Sequence, residues 1–201
     1  MTPFFERGET VGSPYLSRGW MAGVVELTNH KILPEPEQPL LFNFNKLTNV
    51  LYIVNGQDVI TRYPADSIIS FNLRDDNAVF SFVKISWISD NFFLIPVIKS
   101  MKGYSLYKRL FTKFIQADFR NEGYYTKGRR YDEYLDYYEY YITYPKDNLF
   151  RKLYLREKDI RKALRDEAKL LDEFFSLHEN EINEQSLIGI MQYIDEKKYP
   201  E

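Results

Sequence analysis

The chain has no cysteine, and this absence removes several classes of site at once. It can form no disulfide, no zinc–thiolate centre, no iron–sulfur cluster and no thiol nucleophile. The compartment stays open, because cysteine-free proteins occur on both sides of a membrane. Histidine is scarce as well, since His30 and His178 are the only two. No metal site and no cofactor is predicted from this composition.

A strong charge of one sign and a long apolar run are also lacking. The formal net charge is −2 over 201 residues, so neither nucleic acid nor an anionic membrane is an expected partner. The most apolar run, residues 92–98, is far shorter than the roughly 20 residues that a membrane-spanning helix needs. No transmembrane segment is predicted. The first nine residues also lack the basic and apolar regions of a signal peptide.

The apolar pattern changes near Pro145. Before it, apolar and polar residues alternate in short runs between turn signals, as in strands; after it, apolar residues recur every three to four positions, as in helices. Consecutive strands with short turns favour an antiparallel meander, curled into an open barrel or folded as a sandwich. The predicted class is α+β. It has an irregular segment (1–17), an antiparallel β body (18–156) and a helical tail (157–198) packed on the body or on itself.

Turn residues bound the predicted strands. These strands cover residues 20–28, 40–45, 50–54, 57–63, 68–73, 78–85, 91–99, 104–114, 134–144 and 149–155. Asn55-Gly56 predicts a two-residue type I′ hairpin turn because both residues tolerate positive φ, and 46–49 predicts a four-residue loop. Pro96 has no N–H, which places it at a sheet edge or a bulge. Trp20, beside apolar neighbours, is expected to be largely buried.

Residues 124–144 contain nine tyrosines, and both a helix and a strand are compatible with the pattern. The tyrosine density favours a strand over 134–144, although residues 131–144 as a helix would also form an aromatic face. Tyrosines exposed on a β face can stack against sugars or anchor proteins, because the ring is apolar and its tip is polar. The candidate ligand-binding residues are Tyr124, Tyr125, Tyr131, Tyr134 and Tyr138.

Three short helices are predicted in the tail, over residues 157–164, 167–178 and 184–197. Each has one apolar stripe and a charged opposite face. Asp166 and Asn183 are suitable N-caps for the second and third. Helices of this length are marginal alone in water, so their apolar stripes are expected to dock. The residues expected to dock are Leu170, Leu171, Phe174, Leu187, Ile188 and Met191.

No catalytic residue is predicted. His30 lies in a predicted turn and His178 at a helix end, and no Gly-x-Ser-x-Gly elbow supports a hydrolase triad. No glycine-rich phosphate loop is present either. The acidic cluster at 132–139 is interpreted as a solvated face. An enzyme is therefore the less favoured class.

Several short motifs occur in an order that resembles a known family. They are Gly12-Ser13-Pro14-Tyr15-Leu16, then Trp20 with Gly23 and Val24, Leu41-Phe42-Asn43, the strand at 92–97, the turn and strand at 103–106, and the basic strand and helix at 152–160. The chain resembles an uncharacterised family of small exported β-rich proteins of Bacteroidetes-type bacteria. The resemblance implies an architecture and a compartment, and it carries over no catalytic residue.

The function favoured at this point is a non-enzymatic envelope or periplasmic protein with a binding or structural role. The alternatives are a carbohydrate- or peptide-binding module that uses exposed aromatics, and a hydrolase with a scattered active site. The expected partner is a protein or a glycan; no oligomeric state is indicated. Family members typically begin with a signal peptide. The expected location is the periplasm or envelope if such a signal precedes this chain, and the cytoplasm otherwise.

Overall fold

The structure is a computed structural model that describes residues 10–35, 39–76, 78–100, 102–121, 123–144, 149–178 and 181–199. These residues divide into two compact units. Unit 1 comprises those within 1–68, 72–79 and 110–137, and unit 2 comprises those within 69–71, 80–109 and 138–201. The predicted α+β class, with antiparallel sheets and three C-terminal helices, is confirmed.

The strands precede the helices along the chain, as the pattern change indicates. The strands are β1 (Ala22–Leu27), β2 (Ile32–Leu33), β3 (Leu40–Asn45), β4 (Val50–Asn55), β5 (Ile60–Tyr63), β6 (Ile68–Arg74), β7 (Val79–Ile85), β8 (Ser89–Ile98), β9 (Ser105–Ile115), β10 (Arg120–Asn121), β11 (Thr126–Lys127), β12 (Glu133–Thr143) and β13 (Phe150–Leu153). The helices are α1 (Glu157–Ala163), α2 (Ala168–Leu177) and α3 (Glu184–Lys198), with single 3₁₀ turns at Ala65–Ser67 and Arg165–Glu167. The tyrosine-rich segment is therefore a strand, β12, as its tyrosine density predicts.

Eight strands form one sheet in the order β13-β12-β9-β8-β7-β6-β1-β2. From β6 to β9 consecutive strands are neighbours, which is the meander that the short turns predict. Among the residues that the structure describes, this sheet is not closed, and β13 and β2 are its edges. Strands β3, β4 and β5 form a separate three-stranded sheet, and β10 pairs with β11.

Pro96 lies on the internal strand β8 at a shift in register with β9, so it occupies a bulge and not an edge.

The two predicted hairpins of the three-stranded sheet have different outcomes. Asn45 pairs with Val50, so the predicted four-residue loop at 46–49 is confirmed. Strands β4 and β5 also pair as expected, but the predicted two-residue turn is wrong, because the last pair is Val54 with Ile60. Residues 55–59 form a longer loop. The Asn55 Oδ1 accepts the backbone N–H groups of residues 57 and 59 at 3.0 and 3.1 Å, which holds this wider loop in place.

The strained position of this loop is Asp58 and not Gly56. Asp58 has φ 58°, whereas Gly56 is outside the left-handed region and no described atom lies within 4 Å of the position its Cβ would occupy. We expect Asp58→Val to lower the free energy of unfolding by about 1–2 kcal/mol, because a β-branched residue is strained at positive φ. Gly56→Ala should stay within about 0.5 kcal/mol. Urea unfolding of both variants checks this, and equal costs would contradict the loop geometry.

In unit 1 the apolar residues of β1, β3 and β4 form the buried interior. Val25, Phe42, Phe44, Leu51 and Ile53 are each at most 4% exposed. The expected burial of Trp20 is wrong, since 40% of its surface is exposed while the next residue, Met21, is 2% exposed. Successive residues of an extended chain point to opposite sides, so the burial of Met21 directs Trp20 outward.

In unit 2 the helices pack against strands of the same unit. One cluster joins Leu106, Tyr140, Ile142 and Leu153 to the buried residues of the helices. The expected docking is confirmed. Four of the six named side chains are buried and two pack partly buried against the cluster; they are Leu171, Phe174, Leu187 and Met191, then Leu170 and Ile188.

The two predicted N-caps differ in outcome. Asn183 caps α3 in a capping box with Ser186, whose N–H donates to the Asn183 Oδ1 at 3.0 Å. Asp166 is not the cap of α2, because a 3₁₀ turn precedes that helix and Glu167 takes the cap position without a side-chain cap bond. The Glu167 carboxylate is instead buried. It accepts hydrogen bonds from the Tyr104 hydroxyl at 2.7 Å and from the Lys198 ammonium at 2.5 Å.

Two further carboxylates of unit 2 accept hydrogen bonds from basic side chains and from tyrosine hydroxyls. Glu184 accepts both Lys108, at 2.9 Å, and the Tyr140 hydroxyl, at 2.7 Å. Glu139 accepts Lys152 at 2.6 Å, with Tyr141 and Arg109 also bonded. Burial alone would raise the pKa of each carboxyl, but these donors and their positive charge lower both pKa values below the usual range. Burial, followed by the bond to Glu139, raises the pKa of Tyr141 to about 12.

These lowered pKa values predict an acid-sensitive fold. The stability that Glu139 and Glu184 contribute is present above the unfolded-state pKa of about 4.3 and is lost as pH falls through the lower folded-state pKa. We expect the urea midpoint to fall between about pH 6 and about pH 3, and to fall less in Glu184→Gln. Glu196→Gln, at an exposed position on the same helix, is the control and should keep the parental profile. An unchanged profile in Glu184→Gln would contradict the assignment.

Candidate functional site

The five tyrosines proposed from the sequence belong to both units. Tyr124 and Tyr125 lie exposed in the turn between β10 and β11, and Tyr131 is exposed before β12. Tyr134 is half-buried, with its ring 5.1 Å from that of Phe114. These four belong to unit 1. Tyr138 belongs to unit 2, is 53% exposed and has the Lys108 ammonium 5.1 Å from its ring centre.

Both histidines make contacts with residues four positions earlier in the chain. His30 is in an exposed turn with φ 62°, and its Nδ1 lies 3.5 Å from the Glu26 carboxylate four residues earlier. His178 follows α2, where its ring stacks on Phe174 at 4.3 Å and its Nδ1 lies 3.0 Å from the carbonyl oxygen of Phe174. Each therefore has a local structural contact. No serine hydroxyl is bonded to either ring in the part of the chain that the structure describes.

A groove in unit 1 begins with an inserted loop beside β3. Tyr15 forms an antiparallel bridge with Asn45, and Met21 forms one with Phe42. Between these bridges the segment has five residues (16–20), whereas β3 has two (43–44), so the segment must bulge outward. Ser17 and Gly19 of this stretch suit such a turn. Residues 16–20 are called the inserted loop below.

The side chain of Asn43 holds the inserted loop. Its Nδ2 donates to the carbonyl oxygens of Ser17, at 2.9 Å, and Gly19, at 3.0 Å, and its Oδ1 accepts the Ser17 N–H at 3.4 Å. Asn43 is buried, so these bonds satisfy polar groups that would otherwise be costly to bury. One amide side chain thus fixes the loop that carries Arg18 and Trp20.

Aromatic rings form the walls of the groove. Its volume is about 570 Å³, within the usual range of small-ligand sites. Tyr15 packs edge-to-face on Tyr52 of β4, with ring centres 6.1 Å apart, and Trp20 lies in the same lining. Tyr15 and Trp20 are both 40% exposed, so part of each ring is available to a ligand. Ile60 of β5 supplies the aliphatic part of the lining.

The rim of the groove is polar and carries one charge. Ser13 and Ser17 accept backbone N–H groups at 3.1 and 3.3 Å, which leaves each hydroxyl hydrogen able to donate to a ligand. Arg18 is exposed on the inserted loop. Among the described residues that line the groove it is the one charged side chain, and neither a carboxylate nor a histidine is present.

Sequence reasoning missed this groove because its residues come from separate segments. Tyr15 and Trp20 belong to a stretch interpreted as irregular or buried, and Tyr52 to a hairpin strand. The available signal was the position of Tyr15 and Trp20 among Gly12, Pro14 and Gly19, because aromatics between chain breakers are poorly placed to enter a core. The same residues carry part of the family resemblance.

Comparison of the chain with protein-family models, curated protein sequences and solved structures gives no match. Within the described ranges, no cluster of three or more histidine or acidic side chains is arranged to hold a metal ion. No helix in the described part of the chain combines the length and the apolar character that crossing a membrane requires.

Proposed function

We propose that this protein is a non-enzymatic binding protein of the bacterial envelope or periplasm, and that the groove in unit 1 is its ligand site. The observation that carries the proposal is the groove itself. Three aromatic rings converge on a recess whose loop is held by the buried amide of Asn43. A preformed recess with partly exposed rings and a few polar groups is the usual form of a small-ligand site.

Binding is favoured over catalysis by the chemistry of the lining. General acid–base catalysis needs a carboxyl, imidazole or similar group within hydrogen-bond reach of the substrate. The described lining of the groove has neither a carboxyl nor an imidazole, and its polar groups are serine hydroxyls, tyrosine phenols, one amide and one guanidinium. The guanidinium group of Arg18 has N–H donors that can bind and orient an anionic ligand.

The proposed compartment rests on the family resemblance of the motifs at 12–24, 41–43 and 103–106. Fractionation of the cells that produce the protein, followed by detection with a specific antibody, tests it. We expect the protein in the periplasmic or envelope fraction. Recovery in the cytoplasmic fraction, with a periplasmic marker retained in its own fraction, would contradict export but would leave the groove as a ligand site.

Fluorescence of Trp20 tests the groove directly. The chain has two tryptophans, so the Trp87→Phe variant reports on Trp20 alone. We expect its emission to shift on titration with at least one member of a panel of neutral polysaccharides, acidic polysaccharides and short peptides, because a ligand changes the polarity around a half-exposed indole. Trp20→Phe, which retains Trp87, is the matched control and should show no shift. Absence of any saturable shift across the panel would contradict the proposal.

A further inference from the structure

We propose that the groove binds an acidic oligosaccharide, with one sugar ring against Trp20 and a uronic-acid carboxylate paired with Arg18. This inference rests on the proposed function, because it names the ligand class of the same groove. Three properties of the described lining support it: the exposed ring faces, the hydroxyl groups of the rim and the single positive charge.

The rings and the rim match the two kinds of surface that a sugar has. A pyranose ring presents C–H groups on its face and hydroxyl groups at its edge. Trp20 and Tyr15 offer partly exposed apolar rings, while Ser13 and Ser17 offer hydroxyl groups next to them. Rings with an apolar body and polar surroundings suit a ligand of this mixed character.

The aliphatic content of the lining is low. Ile60 is the one aliphatic side chain among the described lining residues. A peptide that bound through apolar side chains would be expected to find a more aliphatic recess. This composition favours a sugar over an apolar peptide, and a peptide becomes an alternative outcome of the test.

The charge of the groove favours an acidic sugar over a neutral one. The guanidinium group of Arg18 can donate two parallel hydrogen bonds to a carboxylate, which a neutral hydroxymethyl group cannot accept in the same way. The structure shows no ion pair for Arg18 within the described ranges, and no carboxylate in the described lining would repel the ligand. Charge complementarity therefore points to a uronic acid.

Calorimetric titration of the full chain with matched ligand pairs tests this inference. The probes are trimers of galacturonic, glucuronic, mannuronic and guluronic acid, each compared with its methyl ester, which keeps the sugar ring and removes the charge. We expect at least one acid to bind and its ester to bind about tenfold more weakly, a difference of about 1.4 kcal/mol. Arg18→Gln should weaken binding of the acid by about tenfold and leave the ester unchanged.

Two further variants control the experiment. Trp20→Ala should weaken binding of both the acid and the ester, because it removes the ring that stacks on the sugar. Arg74→Gln, at an exposed position of β6 outside the groove, should bind like the parent. Arg18 and Trp20 are both exposed, and circular dichroism with a thermal melt verifies that their variants are folded.

Several outcomes would overturn the inference. An ester that binds as tightly as its acid, or an equal loss of both ligands in Arg18→Gln, would exclude the assigned charge pair. If no uronate binds but a neutral trisaccharide or a short peptide binds in a Trp20-dependent manner, the acidic-sugar inference fails, but the groove remains the proposed ligand site. If no probe binds in a Trp20-dependent manner, both the inference and the proposed function fail.

Discussion

Phe174→Ala is expected to lower the free energy of unfolding by about 3–5 kcal/mol, the range for truncating a large aromatic side chain in a core. Phe174 is 7% exposed on α2 and belongs to the cluster that joins the helices to the strands of unit 2. Its ring contacts those of Phe175, His178 and Tyr193. Alanine would remove these contacts and leave a cavity, which adds to the lost burial of apolar surface.

Gly189 of α3 lies beside this ring. A Cβ at Gly189 would be 3.4 Å from the Phe174 Cζ, which is an ordinary van der Waals distance, so the ring also packs on α3. Alanine would remove this contact with α3 as well, which contributes to the expected cost.

Urea unfolding measures the effect, and Leu177→Ala is the matched control. Leu177 ends the same helix and is 70% exposed, so its truncation should stay within about 0.5 kcal/mol. If Phe174→Ala unfolded at the parental midpoint, the apolar face of α2 would have to be exposed in solution. The packing of the helices in unit 2 would then be contradicted.

Local pattern was sufficient for the class of the fold and for most of its elements. The tyrosine density of β12 favours a strand, because aromatic residues suit a pleated surface. The helical spacing in α2 and α3 reflects which side of each helix is buried. The four-residue loop at 46–49 also follows from local turn chemistry. These features depend on neighbours in sequence, so a single sequence contains them.

Features that depend on a particular side-chain contact were not predictable in the same way. Asn55-Gly56 has the composition of a two-residue turn, but the Asn55 side chain binds two backbone N–H groups and widens the loop. The inserted loop likewise depends on Asn43, which is distant in sequence from Ser17 and Gly19. The Asn55 bonds are local and compete with the two-residue turn. The Asn43 bonds arise from tertiary packing, which overrides local propensity.

The orientation of Trp20 illustrates a third kind of error. The apolar neighbours of Trp20 suggested burial. In an extended chain, however, successive side chains point to opposite sides, so the burial of one side chain directs the next one outward. Met21 pairs with Phe42 and its side chain is buried, so the side chain of Trp20 points outward and lines the groove. The candidate site could not be assembled from the sequence because this choice of side depends on the pairing with β3.

Lys46 is a residue whose position in a loop was predictable but whose burial was not. It is 8% exposed, and its ammonium donates to the Asp136 Oδ2 at 2.7 Å. The Thr112 hydroxyl donates to the other carboxylate oxygen of Asp136 at 2.5 Å. The three side chains belong to unit 1 and connect the loop after β3 with β9 and β12.

Asp136→Ala is therefore expected to destabilise the protein by about 3 kcal/mol, at the lower end of the range for breaking a buried ion pair. The cost arises because the Lys46 ammonium would remain buried without its counter-charge. It falls at the lower end because 38% of the Asp136 side chain is exposed, so water can reach the site. Glu35→Ala, which breaks the exposed pair with Lys31 in the same unit, is the control and should unfold close to the parental urea midpoint.

A double-mutant cycle separates the pair from other effects of the substitution. Lys46→Met replaces the buried cation with an apolar side chain of similar length, so the further change Asp136→Ala should then cost about 1–2 kcal/mol less than it does in the parent. Urea unfolding of the two single variants and the double variant gives this coupling energy. Equal costs of Asp136→Ala in both backgrounds would show that Lys46 and Asp136 do not interact. The 2.7 Å contact would then have to be absent in solution, and the burial of Lys46 would require another partner.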